Sequence, residues 1–458
     1  MHSPIRWLVL MVLPLLAACS ETDPKRAACL AGLWQSESGE PAAFNAREDG
    51  TLRVTTFTGR VWTLALNEGR WRGGRGQDVE RRDAALNDTA CAAGRVDLTH
   101  GGGRIAWTRT AIGERKVRFT ANGEAFAGKL VANTAQPTTA MVVLLHGGEK
   151  RSAIASNPLQ YLLPSKGIAV FVFDKRGTGD SGGDYTQDFA LLARDANAAL
   201  STARRELAQT GVRTGFLGGS QGAWIANLAA ALARDGEKPD FLIAAYGLAQ
   251  SPLDEDREEV FDDLRRKGFG DAPTLAKARE ITDATAAVMR SNFTQGLDQM
   301  DAVSQQYSEE PWYGAIEGEF TGDFLSMPSW LLGWIGPLIG DNTTWTYDPL
   351  PHIRAYTKPA LWVLAGEDTE APSATTLALL RQLQDDGARN LDIARFPNAE
   401  HAMIMFENKG KERIPVGIAP GYFEFLADWI ANGRVTNLPG VEIYPANPSQ
   451  STPPPAVP

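Results

Sequence analysis

Histidine and cysteine are scarce in this chain, at five and three among 458 residues, and neither recurs at the spacing of a metal-ligand set. No metal or other cofactor is therefore expected. A basic excess is missing as well: 45 lysines and arginines face 55 aspartates and glutamates, a net charge of −10. Nucleic-acid binding needs a cationic face, so that class is excluded. Internal repeats and heptads are absent, which removes solenoids and coiled coils. An apolar run near the N-terminus, WLVLMVLPLL, spans about ten residues, too short to cross a bilayer. What remains is an ordinary globular composition in a chain long enough for two domains.

The N-terminal run follows a short basic stretch ending at Arg6 and leads into Leu16-Ala17-Ala18-Cys19-Ser20. A basic region, a short apolar core and small residues describe an export signal. Small residues before a cysteine resemble the lipobox of bacterial lipoproteins. That resemblance implies cleavage after residue 18 and lipid attachment at Cys19. Ser20 in second place resembles lipoproteins sent to the outer membrane, so the expected location is the periplasmic side of that membrane. The alternative is a plain secretory signal with Cys19 incidental. Residues 19–28 read as a linker. Cys29 and Cys91 are left as one even pair in an exported protein, which reads as a single disulfide.

Residues 29–112 are expected to form a small β-rich domain. Short alternating runs at 50–57, 60–66, 94–99 and 104–109 are separated by Gly, Asn and Asp. No chemistry is visible there, and the expected role is structural or one of controlling access.

From residue 113 the pattern changes. Two alternating strands precede continuous apolar runs at 140–145, 168–173, 216–217, 241–246, 360–365 and 391–396, with helical stretches such as 191–208 and 223–233 between them. Strands buried on both faces and alternating with helices mean a mostly parallel sheet covered on both sides. The alternation breaks over residues 249–348. Two amphipathic helices (255–267 and 274–289) lead there into a stretch rich in aromatics, Pro and Gly. An insertion of that length is usually functional, and it reads as a cap over the sheet's C-terminal edge. Trp312, Trp330 and Trp334 are expected to wall a substrate pocket. Residues 436–458, ending STPPPAVP, read as a disordered Pro-rich tail.

The sharpest local signal is Gly218-Gly219-Ser220-Gln221-Gly222, between a short apolar strand and the helical run AWIANLAAALA. A serine on so tight a strand-to-helix reversal is exposed, and the helix N-terminus behind it stabilises developing negative charge. Glycines two residues to either side are required because side chains there would meet the neighbouring strand or helix. A serine hydroxyl becomes nucleophilic only when a base accepts its proton. Of the five histidines, His401 follows the last predicted strand and returns to the sheet edge beside Ser220. His146 opens the loop His146-Gly147-Gly148-Glu149 and is expected to orient it. Glu367, Asp368 and Glu370 compete as the acid that orients the base. The oxyanion requires two N–H donors, expected from the backbones of Gln221 and Gly148.

With these residues in place, roughly 113–435 resembles the α/β-hydrolase superfamily, especially its serine esterase and serine aminopeptidase-like branches. Asp174-Lys-Arg-Gly-Thr-Gly-Asp-Ser181 is similar to the family's D-x-R-G-x-G-x-S turn, where Asp174, Arg176 and Ser181 are read as structural. The resemblance favours Asp368 as the acid, because an Asp with Pro four residues on recurs at that position. It implies an α/β fold with a helical cap and a triad in the order Ser220, Asp368, His401. The activity it implies is cleavage of carboxylic esters through an acyl-enzyme. A peptidase or thioesterase on the same triad is the alternative, with Glu309-Glu310 or Glu317 and Glu319 as places for a substrate ammonium. A lipid-anchored, non-catalytic envelope protein is a third reading. The loop reads HGGE where many lipases have HGGG, which counts against a lipase. The expected partners are a small ester or short peptide and, through the N-terminal lipid, a membrane.

Overall fold

The computed structural model describes residues 24–446 except 78, 341 and 411. The proposed signal, Cys19 and the end of the tail lie outside the described residues. A short helix (Pro24–Leu30) leads into eight strands, β1 (Gly32–Ser36), β2 (Pro41–Ala46), β3 (Leu52–Thr56), β4 (Val61–Asn67), β5 (Arg70–Arg75), β6 (Ala84–Asn87), β7 (Arg95–His100) and β8 (Gly103–Arg109). Each pairs antiparallel with the next, and β1 pairs with β8, so the sheet closes into a barrel without a free edge. Its interior is filled by Trp34, Phe44, Trp62, Trp71 and Trp107. The expected small β-domain is thus a complete barrel. Sequence periodicity alone brought out only half its strands, because β2, β5 and β6 are rich in Ala, Gly or Arg and β1 does not alternate.

Cys29 and Cys91 are joined by a disulfide that ties the entry helix to the turn before β7.

The second domain is built on a nine-stranded sheet. Its strands are β9 (Gly113–Ala121), β10 (Glu124–Ala132), β11 (Ala140–Leu145), β12 (Ile168–Phe173), β13 (Arg213–Gly219), β14 (Phe241–Ala245), β15 (Ala360–Ala365), β16 (Leu391–Phe396) and, after the hairpin β17 (Ile404–Lys409) and β18 (Glu412–Ile418), β19 (Glu442–Tyr444). Their spatial order is β19-β16-β15-β14-β13-β11-β12-β10-β9. Strands β12 through β16 run parallel, while β9, β10 and β19 run antiparallel to their neighbours. β11, β12, β14 and β15 are buried at every position, as continuous apolar runs require when helices cover both faces. The chain reverses its direction of strand addition around β11, which puts a crevice at the carboxyl ends of the central strands.

Glu442–Tyr444 pairs with β16, and the Ala446 N–H donates to Asp392, so the tail reading is corrected for those residues. An extended segment beside an open sheet edge gains ladder hydrogen bonds that composition does not reveal.

Residues 249–348 form the cap, with helices at Pro252–Arg266, Ala272–Arg290, Leu297–Tyr307, Thr321–Leu325 and Ser329–Gly340 around a core of their own. Among the described residues no helix is long and apolar enough to cross a membrane.

The barrel is welded to the second domain. Leu33, Ala43 and Phe57 share a core with Phe423 and Leu426, and the Ile418 N–H donates to the Gly59 carbonyl at 2.8 Å. The partner of Gly59 is the hairpin β17–β18, which follows directly on His401.

Breaking the disulfide should destabilise the barrel. A crosslink across 62 residues is worth about 4 kcal/mol in the chain-entropy account. Cys29→Ser with Cys91→Ser is expected to lower the denaturation midpoint by an amount of that order. Intact mass of the native protein, before and after reduction and alkylation, should show two thiols only after reduction.

Candidate active site

Strand β13 ends at Gly219 and the helix Gln221–Leu232 begins one residue later, so Ser220 takes up the whole reversal. Its backbone sits at φ 53°, ψ −126°, a conformation side chains rarely adopt, and its hydroxyl does not cap the helix. The flanking glycines are steric necessities. A Cβ on Gly218 would strike the backbone of Gly222, and one on Gly222 would strike the Leu145 carbonyl at the end of β11. The Ser220 N–H is held by the Ala245 carbonyl at 3.0 Å, which fixes the elbow against β14.

The loop after β11 comes against the elbow. A Cβ on Gly147 would lie 3.2 Å from the Cβ of Ser220, so this loop is the wall beside the hydroxyl. The side chain of His146 is buried within the loop: its Nε2 accepts from the Lys175 N–H at 3.3 Å and its Nδ1 stands 3.4 Å from Glu149. Burial opposes the charge on Glu149, but hydrogen bonding to His146 and the nearby Lys175 outweigh it and hold the carboxyl at about 2.

Asp368 follows β15 and is buried; its Oδ2 lies 3.0 Å from His401 Nδ1 and its Oδ1 3.2 Å. Asp368 Oδ1 also accepts from the N–H groups of Glu370 and Ala371, an Asx turn that pins the carboxylate. Of the three competing acids, only Asp368 meets Nδ1. Glu370 instead faces the other nitrogen, Nε2, at 3.7 Å, and is half exposed. The His401 ring packs edge-on against Tyr246, which follows β14 and abuts Gly219. Positive φ recurs here, at Ser220, Tyr246, Ala402 and Met403. Such strain persists only where surrounding packing enforces it.

Glu400 was not singled out from sequence, yet it binds the two loops together. Its buried carboxylate accepts from the Thr369 N–H and hydroxyl, from the His401 N–H and from Arg413 on β18. Adjacency to His401 is the only signal the sequence offered. In the D-x-R-G turn, Asp174 accepts from Ser152 and Asp180, Arg176 pairs with buried Asp195 at 2.9 Å, and the Ser181 hydroxyl bonds to the Asp174 carbonyl, all structural contacts.

The cap contributes acid rather than tryptophan. Trp312 is buried in the cap's own core against Tyr307. Trp330 and Trp334 are 73% and 74% exposed. Their helix turns Leu332, Gly333 and Gly336 inward against Leu297 and Phe293, so positions 330 and 334 fall on the opposite face. The expectation that these three tryptophans wall a pocket is corrected. The glutamates Glu310 and Glu317 are paired with Lys277 and Lys267. Glu319 and Glu255 are electrostatically coupled to His401, and Glu259 is coupled to those two glutamates; neither Glu255 nor Glu259 was singled out from sequence. Burial, then Glu319 and the other acids around His401, push the Glu255 carboxyl well up. Burial and the charge of Glu370 raise Glu319 to about 8. The segment bearing Glu319 is fixed to the Glu255 helix by Asp256, which accepts from the N–H groups of Phe320 and Thr321.

Burial disfavours the His401 imidazolium, but Asp368, Glu370 and Glu255 outweigh it and raise the ring to about 10.

Ser220 follows the fifth strand of the sheet, Asp368 the seventh and His401 the eighth, and with the strand order these positions are those of the α/β-hydrolase architecture. The chain has the α/β-hydrolase fold. Residues 136–249 match the family described as serine aminopeptidase, S33, a span that holds Gly148 and Ser220 but ends before Asp368 and His401. Among solved structures, an esterase of Pyrococcus furiosus is 15% identical with a TM-score of 0.40, over 63% of this chain and 84% of that one. An esterase of Pyrobaculum calidifontis is 16% identical at 0.37, over 64% and 77%. An acylaminoacyl peptidase of Pyrococcus horikoshii is 16% identical at 0.38, over 81% and 52%. A search of curated protein sequences gives no match.

Because Glu370 lies 3.7 Å from Nε2, its charge is predicted to hold the imidazolium. Activity should rise with pH as His401 loses its proton, with a midpoint above the ordinary histidine value. Glu370→Gln removes a stabilising charge, so the midpoint should move down, by about one pH unit after allowance for solvent screening. The acid limb of kcat/KM against pH measures it; an unmoved or rising midpoint contradicts the coupling.

Proposed function

We propose that this protein cleaves carboxylic esters through an acyl-enzyme on Ser220. The observation that carries this reading is the Asp368–His401 pair at 3.0 Å, set at the same sheet edge as a serine held in a strained elbow. Ser220 Oγ attacks the acyl carbon as His401 Nε2 takes its proton. Asp368 fixes the tautomer that carries hydrogen on Nδ1 and stabilises the imidazolium. The oxyanion receives hydrogen bonds from the Gln221 N–H, first in its helix and without a carbonyl four residues back, and from the Gly148 N–H. His401 then protonates the leaving oxygen. Water, deprotonated by the same nitrogen, releases the acid and restores the serine.

A second reading, hydrolysis of aminoacyl amides, is favoured by Glu255 and Glu319, which couple to His401, and by Glu259, which couples to both. Burial and mutual repulsion raise all three carboxyls. A cation at that position would relieve the repulsion, and the free ammonium of an aminoacyl group is such a cation. Both readings share one triad and differ in the acyl part.

A fluorophosphonate probe should label Ser220 and no other residue. Ser220→Ala and His401→Ala should each abolish turnover, and together cost little more than either alone, because the pair acts as a unit. Comparing kcat/KM for a butyryl aryl ester and an alanyl anilide separates the two readings. Preference for the ester, unaffected by Glu255→Gln with Glu319→Gln, supports the first; preference for the anilide that disappears in that variant replaces it with the second.

We also propose lipid attachment at Cys19 and residence at the bacterial outer membrane, supported by the LAAC sequence ahead of the polar stretch 20–26. Detergent partitioning of wild type, lost in Cys19→Ala, is the expected result. Wild-type protein free in the periplasm with an alkylatable Cys19 contradicts it.

A further inference from the structure

Lys175 is the x of the D-x-R-G turn, directly after β12, and its side chain is buried beneath the loop that follows β11. Its Nζ donates to the Gly147 carbonyl at 2.5 Å. A second anchor lies one residue on, where the Tyr185 hydroxyl donates to the Gly148 carbonyl. The Tyr185 ring also lies under the ammonium, 5.0 Å from Nζ to its centroid, and the phenol is tied to Gln187, whose amide meets the Gln221 side chain. Lysine, tyrosine and the two glutamines thus join the two expected oxyanion donors from behind.

In a trans peptide the carbonyl and the following N–H point in opposite directions. Fixing the Gly147 oxygen toward Lys175 therefore fixes the Gly148 N–H the other way. Glycine at both positions gives the loop no stiffness of its own, so the direction must come from outside it. A hydrogen bond from a cation to that oxygen also draws charge from the peptide and strengthens its N–H as a donor.

We propose that Lys175 is a positioning residue for acyl transfer, holding the Gly147–Gly148 peptide so that the Gly148 N–H faces the oxyanion. The inference rests on the reading of Ser220 as nucleophile. Burial outweighs the pull of Glu149 and lowers the ammonium to about 8. The other groups around it are His146, Glu149 and Tyr185, with Glu149 held ionised and burial pushing Tyr185 up to about 12. Of this set, Lys175 is the group that loses its charge just above neutrality. Loss of the ammonium through that range offsets the gain from deprotonation of His401, so activity that depends on it levels off above about 8 instead of rising further.

Wild type, Lys175→Met and Lys175→Arg are assayed with a butyryl aryl ester across pH 6–10, with an aryl boronate as a tetrahedral analogue. Fluorophosphonate labelling of wild type comes first, since absence of label on Ser220 overturns the nucleophile reading and this inference with it. With labelling established, K175M is expected to lower kcat by about 10²-fold at nearly unchanged KM and to weaken the boronate in parallel. K175R should recover part of kcat and go on gaining activity above about 8, where wild type levels off. Turnover and boronate affinity in K175M within threefold of wild type overturn the proposal. So does a K175R profile that levels off above about 8 as wild type does, the deciding result should K175M fail to fold by circular dichroism.

Discussion

The carboxylate of Glu400 is the tie on which the active-site geometry depends. Asp368 and His401 reach the sheet edge on separate loops, after β15 and β16, and a hydrogen bond between flexible loops is worth about 1 kcal/mol net. That is too little to hold an imidazole in one orientation against the freedom of both segments. Glu400 joins them through backbone as well as side chain, accepting from Thr369 on one loop and from the His401 N–H on the other. Its charge is compensated by Arg413, so the buried group is paired rather than stranded. Because Arg413 belongs to β18, the tie runs on into the hairpin and from there to the barrel through Gly59 and Ile418. The small domain, silent as to chemistry, stands behind the histidine loop as a rigid wall.

This explains why one domain was read from the sequence in detail and the other only in outline. The buried strands β11 to β16 announce themselves as unbroken apolar runs, and Ser220 is specified by two glycines with one purpose each. The base followed by elimination among five histidines. Asp368 needed the superfamily resemblance, since Glu367 and Glu370 had equal local claims; the structure separates them by which imidazole nitrogen each reaches. Barrel strands such as Pro41–Ala46, with small residues and no strict alternation, carry too weak a period to be read before the closed sheet exists to bury them.

The tryptophans and the glutamates mark where composition misleads. Aromatic richness in the cap suggested an apolar pocket, but hydrophobic content does not state which way a helix faces. Gly333 and Gly336 decide it, because only a face without side chains lets the helix approach Leu297 and Phe293 so closely. That choice sends Trp330 and Trp334 outward. Glu255 opens a helix read only as amphipathic, and such a pattern does not show what lies opposite an acid. Only the fold brings Glu319 and the Asp368–His401 pair to Glu255.

An acidic cluster beside a general base sets opposed demands on the site. In the proposed mechanism each ionised carboxylate would stabilise the imidazolium formed during attack, yet the same charge would keep the resting imidazole protonated and unable to accept from Ser220. Asp368 serves the first need at Nδ1 without occupying the nitrogen that faces substrate. Glu370, facing Nε2, competes with the serine proton itself. A positively charged substrate resolves the conflict, since its charge would offset Glu255, Glu319 and Glu370 together and free His401 to act as base when the site is filled. A neutral ester leaves those acids to be quieted by protonation, and burial has already brought Glu255 and Glu319 toward that state. On the aminoacyl reading, the cap carboxylates Glu255 and Glu319 would act on both substrate charge and the ionisation of His401.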